Sequence, residues 1–129
     1  MSTVDTSMPI LIVDDYKTML RIIRSFLRQL GFENVDEAAD GSEALEKLHD
    51  KTYELIISDW HMQPMTGIEL LNEIRADSEM KDTPFIMITA ESKKDTVIKA
   101  KEAGVSNFIV KPFDAEILKE KLTAVLGDF

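Results

Sequence analysis

Four short apolar runs limit what this chain can fold into: Ile10-Leu11-Ile12-Val13, Leu55-Ile56-Ile57-Ser58, Phe85-Ile86-Met87-Ile88 and Phe108-Ile109-Val110. None shows the polar alternation of a strand with one wet face, so each reads as a strand buried on both faces of a parallel sheet. Parallel strands need long crossovers, usually helical. The intervening stretches supply them. Met19, Leu20, Ile23, Phe26, Leu27 and Leu30 recur at helical spacing and stop at Gly31. Ala44, Leu45 and Leu48 give a second helix its inner stripe after an Asp40-Gly41 turn. After a loop from Trp60, Thr66-Gly67-Ile68-Glu69 reads as a capping box for a third helix, with Ile68, Leu71 and Ile74 inward. Ser92-Lys93-Lys94-Asp95 opens a fourth, which runs to about Ala103-Gly104; its sparse large apolar residues, Val97 and Ile98, predict loose anchorage. Asp114 caps a fifth, with Ile117, Leu118, Leu122, Val125 and Leu126 on its buried face. A shorter, more polar strand over Val35 to Ala39 suits a sheet edge.

Strand and helix alternate five times, which predicts a doubly wound α/β domain with a five-stranded parallel sheet, right-handed crossovers and the first and third strands at its centre. Residues 1–8 read as a flexible lead-in and 9–127 as a single domain.

The residues at the ends of the apolar runs matter more than the runs themselves. The runs lead into Asp14-Asp15, Asp59, Thr89 and Lys111-Pro112, and in open α/β sheets the ligand site lies just outside the carboxyl ends of the strands. An Asp-Asp pair is most often a solvated turn or a helix cap. Placed at the end of one buried strand, with Asp59 ending another, it reads instead as part of an oxygen cage. Carboxylates about 4 Å apart repel by roughly 1–4 kcal/mol per pair in partly solvated surroundings, and a divalent cation turns that repulsion into attraction. Mg²⁺ prefers one or two carboxylates plus waters and a phosphate. Asp59 is the candidate nucleophile, since a carboxylate accepts a phosphoryl group to give an acyl phosphate. Lys111 ends a buried strand, an odd place for a cation without a partner, and supplies the positive charge that transfer needs. Thr89 offers a hydroxyl, although threonine is an ordinary strand residue and gains weight only from its neighbours.

Composition excludes several classes. The net charge of −9, from 24 acidic against 15 basic residues, leaves no electrostatic footprint for nucleic acid or an anionic membrane. With no cysteine there is no disulfide or thiol chemistry, which fits a reducing cytoplasm. No apolar stretch approaches the length of a membrane span, and Met1-Ser2-Thr3-Val4-Asp5 lacks the features of a secretory signal.

Asp14-Asp15, Asp59, Thr89-Ala90 and Lys111-Pro112, at these separations, resemble the receiver domain of bacterial two-component response regulators. The likeness is strongest to the stand-alone chemotaxis members, through Leu30-Gly31-Phe32, Ser58-Asp59-Trp60, Thr89-Ala90-Glu91-Ser92-Lys93-Lys94 and Val110-Lys111-Pro112-Phe113, and it runs from Ile10 to Leu126. It implies a flavodoxin-like sheet of order 2-1-3-4-5 and a histidine kinase that donates phosphate to Asp59. It also implies Mg²⁺ held by Asp15, Asp59 and the backbone carbonyl of His61, with Asp14 assisting through water. Lys111 then pairs with the phosphoryl group, Lys111-Pro112 is cis, and Thr89 and Phe108 form the switch. The output face carries Lys94, Val97, Lys101, Phe108 and Lys121, for a target such as the flagellar motor switch or another effector. For each of those lysines ordinary solvation is an equally good reading. The resemblance further implies a monomer that ends after its fifth helix without an output domain.

Three departures stand out: Phe108 where tyrosine is usual, Gln63-Pro64 with the proline displaced by one place, and Thr66 for a common acid. His61 and Glu91 are candidates for tuning dephosphorylation, against a plain loop role for the histidine; His49 reads as solvent-exposed. A haloacid dehalogenase-type phosphatase is the enzyme alternative, but that class wants a second aspartate where His61 stands. A flavodoxin-like FMN carrier needs a hydroxyl- and glycine-rich loop, and Asp14-Asp15-Tyr16-Lys17 repels a bare phosphate. A receiver that acts as a phosphate-independent scaffold is the third alternative.

Overall fold

The computed structural model describes residues 4–90 and 93–127. Its elements alternate without exception: β1 (Ile10–Val13), α1 (Lys17–Gln29), β2 (Val35–Ala38), α2 (Gly41–Asp50), β3 (Leu55–Asp59), α3 (Gly67–Ala76), β4 (Phe85–Thr89), α4 (Lys94–Ala103), β5 (Asn107–Val110) and α5 (Ala115–Leu126). The strands form one parallel sheet of order β2-β1-β3-β4-β5. Every residue of β1, β3 and β4 is buried, whereas β2 and β5 are only partly so, as expected of edges. Because successive side chains on a strand point to opposite faces, the sheet feeds two cores. Ile10, Ile12, Ile57, Ile86 and Ile88 pack under α1 and α5 with Ile23, Leu27 and Leu118. Leu11, Val13, Ile56, Phe85 and Met87 pack on the other side with Leu48, Leu70 and Ile74.

Local chemistry sets the helix limits. At the end of α1, Gly31 adopts φ +101°, and the N–H groups of Gly31 and Phe32 return to the carbonyls of Arg28 and Leu27, a Schellman ending that favours glycine. The α3 capping box forms as its sequence predicts: the Glu69 N–H donates to the Thr66 hydroxyl, and the Glu69 carboxylate accepts from the Thr66 N–H. Asp40 and Asp114 cap α2 and α5.

Some packing differs from the periodicity. Ile117 is 37% exposed rather than buried, because Leu118 and Leu122 face the sheet. On α3, Leu70 is buried together with Leu71 and Ile74, and Ile68 lies only against the rim of the core. Residues 4–8, expected to be a flexible lead-in, pack on the domain: Met8 is buried, Val4 rests against the same core, and the Asn34 side chain donates to the Ser7 carbonyl. Ser92, expected to open α4, lies outside the described residues. Within α4 only Ala100 is buried, in keeping with the loose anchorage expected of it.

Two side-chain arrangements hold the periphery. On the outer edge of β2, Lys47 donates to the Glu37 carbonyl and Glu43 accepts from the Ala39 N–H. At the far end of the sheet Arg75 donates to the carbonyls of Gly104, Lys81 and Thr83 at 2.9, 3.0 and 2.7 Å. The peptides before Pro64 and Pro112 are both cis; the second was expected.

Candidate functional site

The register of the sheet brings the chemistry-bearing residues to one rim. Val13 lies opposite Ser58, Asp59 opposite Ile88 and Thr89 opposite Val110, so Asp14, Asp59, Thr89 and Lys111 leave their strands at adjacent ends. Oxygens of Asp14, Asp15 and Asp59 come within 4.8 Å of one another. The Lys111 ammonium reaches Oδ1 of Asp59 at 2.7 Å. Oδ2 of Asp59 accepts from the His61 N–H at 3.1 Å, which begins the loop after β3. Thr89 is buried at the same rim, and the N–H of Lys111, the residue after its register partner Val110, donates to the Thr89 carbonyl at 2.8 Å.

That loop depends on residues that no local pattern singles out as functional. The Gly67 N–H donates to the Trp60 carbonyl at 2.8 Å, and a Cβ at position 67 would stand 2.3 Å from the Asp59 carbonyl oxygen. Only glycine allows α3 to start this close to the strand end. Thr66-Gly67 carries a signal in the sequence, but that signal locates only a helix start. Met62 is also buried under the loop, and Ser58 donates its hydroxyl to the Asp59 carbonyl at 3.0 Å. Nothing in the local pattern of the loop marks Met62 as core.

Electrostatics favour a cation here. Asp14 is fully buried. Burial is the main force that pushes its carboxyl up to about 6, and the negative charges of Asp59 and Asp15 add to it. The Tyr16 N–H, which Oδ1 accepts at 2.9 Å, and the Lys111 charge pull the other way. Oδ2 of Asp14 is buried without any hydrogen-bond partner. An orphaned carboxylate oxygen is costly in a native protein and asks for an explanation. A hard dication supplies one, because all the side-chain donors in the cluster are carboxylate oxygens and one member, Asp15, is open to solvent. The residues present therefore fit Mg²⁺.

The expected output residues fall on α4, β5 and α5. Lys94 and Lys101 are exposed, Val97, Phe108 and Lys121 are half-buried, and the Lys121 ammonium lies 5.4 Å from the centre of the Phe108 ring. Thr89, Trp60, Met87, Val97, Ala100 and Phe108 border one closed seam between the site and α4. His61 is exposed at the rim, Glu91 lies outside the described residues, and His49 stands on the far surface, 4.0 Å from Asp77.

Residues 10–123 match the response regulator receiver domain, and the chain belongs to that family. It is 51% identical over 118 residues to the chemotaxis protein CheY of Pseudomonas aeruginosa, across 92% of this chain and 95% of that protein. It is likewise 51% identical over 119 residues to the chemotaxis protein CheY-3 of Vibrio cholerae, across 92% of each. The solved structure of Vibrio cholerae CheY4 superposes with a TM-score of 0.87 at 37% identity, over 93% of this chain and 99% of that one. The receiver domain of a Pseudomonas aeruginosa sensor histidine kinase, solved with a magnesium ion coordinated in its active-site cleft, superposes with a TM-score of 0.85 at 28% identity, over 95% and 99%. Membership removes the grounds for the dehalogenase-type and FMN-carrier readings. Among the described residues no helix is long and apolar enough to cross a membrane.

Proposed function

We propose that this protein is a CheY-like response regulator that accepts a phosphoryl group on Asp59 from a chemotaxis-type histidine kinase and carries the signal to a target such as the flagellar motor switch. The observation that carries this reading is the 2.7 Å pair between Lys111 and Asp59, set against the carboxylates of Asp14 and Asp15. A carboxylate oxygen of Asp59 attacks phosphorus, the bond from phosphorus to the imidazole nitrogen of the donor histidine breaks, and that nitrogen keeps the electron pair and takes up a proton. The product is an acyl phosphate on Asp59. Lys111, freed from its pairing with the bare carboxylate, stabilises charge on the phosphoryl oxygens.

Asp15, Asp59 and the His61 carbonyl, with Asp14 behind them, would hold Mg²⁺, which would supply positive charge for the developing phosphoryl oxygens. The orphaned oxygen of Asp14 supports that assignment. Hydrolysis of the acyl phosphate resets the site, and the exposed His61, with Glu91, sets its rate. The protein performs no turnover on other substrates. The switch runs through the seam that Thr89 shares with Phe108: the Thr89 hydroxyl moves to the phosphoryl group and the Phe108 ring moves into the space behind it. This is a shift between two packings biased by new charge. It alters the surface of Lys94, Val97, Lys101, Phe108 and Lys121. Phe108 has no hydroxyl, so the target contacts the ring by packing alone. The protein acts as a cytoplasmic monomer.

Trp60 follows Asp59 directly and provides the readout. Its fluorescence changes when Mg²⁺ is added and again with acetyl phosphate, and intact-mass analysis finds one labile phosphate that Asp59→Asn does not acquire. Full labelling of Asp59→Asn, or fluorescence indifferent to both additions, overturns the mechanism.

A further inference from the structure

The chain has no cysteine, so the thioethers of its seven methionines are its only sulfur. Oxidation of a thioether follows its access to solvent. Met8, Met62 and Met87 are buried, whereas Met19, Met65 and Met80 are half-buried. Met19 lies on α1 and Met80 in the segment between α3 and β4. Of the described methionines that are open to an oxidant, Met65 alone stands in the loop between Asp59 and Gly67. Gln63 and Pro64, just before it, are exposed, so a dissolved reagent reaches this stretch.

The seat of Met65 suits an apolar side chain and nothing larger. A Cβ at position 41 would stand 2.6, 2.7 and 2.8 Å from its sulfur, Cγ and Cβ, so Met65 fills the place where residue 41 has no side chain. Gly41 is the buried first residue of α2. Met65 also packs on the core that holds Val13, Ala38, Ala44 and Met62. The loop is therefore clamped twice, by Met65 on Gly41 and by Gly67 against the Asp59 carbonyl and the Met87 sulfur. Between the clamps the His61 N–H donates to Oδ2 of Asp59 at 3.1 Å. A thioether is apolar and adaptable enough to fill such a gap. A sulfoxide carries a polar oxygen, which is costly against an apolar core unless it finds a donor.

We propose that Met65 is a reversible oxidation site whose sulfoxide slows phosphoryl transfer to Asp59, an inference that rests on the reading of Asp59 as phosphoacceptor. The oxidant is hydrogen peroxide. A sulfur lone pair attacks one peroxide oxygen, the O–O bond breaks and an S–O bond forms. The proton on the transferred oxygen passes to the leaving hydroxide, which departs as water. Sulfur is oxidised by two electrons and the peroxide is reduced by two; a thiol-dependent sulfoxide reductase returns them. The oxidised side chain leaves Gly41 for solvent and draws the loop with it. The His61 N–H then loses its place beside Asp59, and the carboxylate is no longer held for attack.

The test treats the full chain with hydrogen peroxide and follows each methionine by tandem mass spectrometry. Met65 converts faster than Met62 and Met87. Its conversion slows the labelling of Asp59 by acetyl phosphate about tenfold and lowers the urea midpoint measured in chelator, and the sulfoxide reductases with dithiothreitol restore both. Met65→Leu keeps the apolar filling without the thioether. Compared with its own untreated sample, it loses no labelling rate when Met19 and Met80 are oxidised. Met65→Gln, which sets a polar group there without any oxidant, labels about tenfold more slowly than Met65→Leu. Equal loss of rate in treated Met65→Leu overturns the proposal, as does Met65→Gln labelling as fast as Met65→Leu. So does conversion of Met65 no faster than that of the buried pair. Labelling indifferent to conversion of Met65 overturns this proposal alone, whereas an untreated wild type that takes up no phosphate overturns the phosphoacceptor reading with it.

Discussion

Burial and charge pull against each other at Asp14. Its carboxyl is raised to about 6 in the folded protein from an ordinary 3.8, chiefly because it is buried. The folded state therefore holds this proton more tightly than the unfolded state does. Its contribution is full below the unfolded value and is lost as pH rises through 6, a difference of up to about 3 kcal/mol at 1.36 kcal/mol per pH unit. In the presence of a chelator, urea melts at pH 5 and 7.5 should show wild type losing more stability on the alkaline side than Asp14→Asn, with Mg²⁺ narrowing the gap. Parallel behaviour of the two proteins would remove the electrostatic account of the site. Gly67 is the second residue with a sharp consequence. Gly67→Ala puts a Cβ 2.3 Å from the Asp59 carbonyl oxygen and 2.8 Å from the Met87 sulfur, so the loop must move. A loss of about 1–3 kcal/mol in urea unfolding is expected, together with slower labelling of Asp59 by acetyl phosphate.

Among the elements, the two sheet edges are managed differently. The outward carbonyl of Glu37 in β2 and the N–H of Ala39 just past its end are occupied by Lys47 and Glu43, which blunts that edge against another strand. At the other side α4 contributes only Ala100 to the interior and is tied at its end by Arg75, through the Gly104 carbonyl. An element with so few buried side chains opens at low cost, and this one lies beside Thr89 and Phe108. Arg75→Ala removes charge-assisted bonds to three carbonyls and should cost about 2 kcal/mol. Amide exchange should accelerate at least tenfold in α4 and in the segment after α3, and much less in β1 and β3. Uniform acceleration across the sheet would mean that α4 is not a separate cooperative unit.

At the scale of the molecule, repulsion at the rim and burial beneath it are coupled. Three acidic groups within 4.8 Å weaken the metal-free fold, and an ion bound only by the folded state stabilises it by mass action. Millimolar Mg²⁺ should raise the melting temperature by several degrees; at a concentration about 100 times the dissociation constant the gain is about 2.7 kcal/mol. Asp15→Asn, which removes an exposed carboxylate of that cluster without opening a cavity, should abolish most of the rise in calorimetry.

Much of this fold is legible in the sequence for a physical reason. A strand buried on both faces has no room for polar alternation, so β1, β3 and β4 announce themselves, and a chain that alternates such strands with helices has few ways to fold. The polar residues at the strand ends are legible as exceptions to that apolar rule: Asp14, Asp59 and Lys111 stand where burial would otherwise forbid them. Helix faces are less legible. Ile117 and Ile68 fit the period but lie at its margin; the direction of the neighbouring core kept the expected Leu118 and added Leu70, which the period had not picked out. The need for glycine at 67, the burial of Met62 and the orphaned oxygen of Asp14 depend on which backbone or side chain arrives from elsewhere in the chain. Sequence alone determined the elements and the types of chemical group, because both follow from local pattern. Tertiary structure decided their separations and solvation, because register across the sheet, which no local pattern encodes, sets the 2.7 Å between Lys111 and Asp59 and the dry surroundings of Asp14.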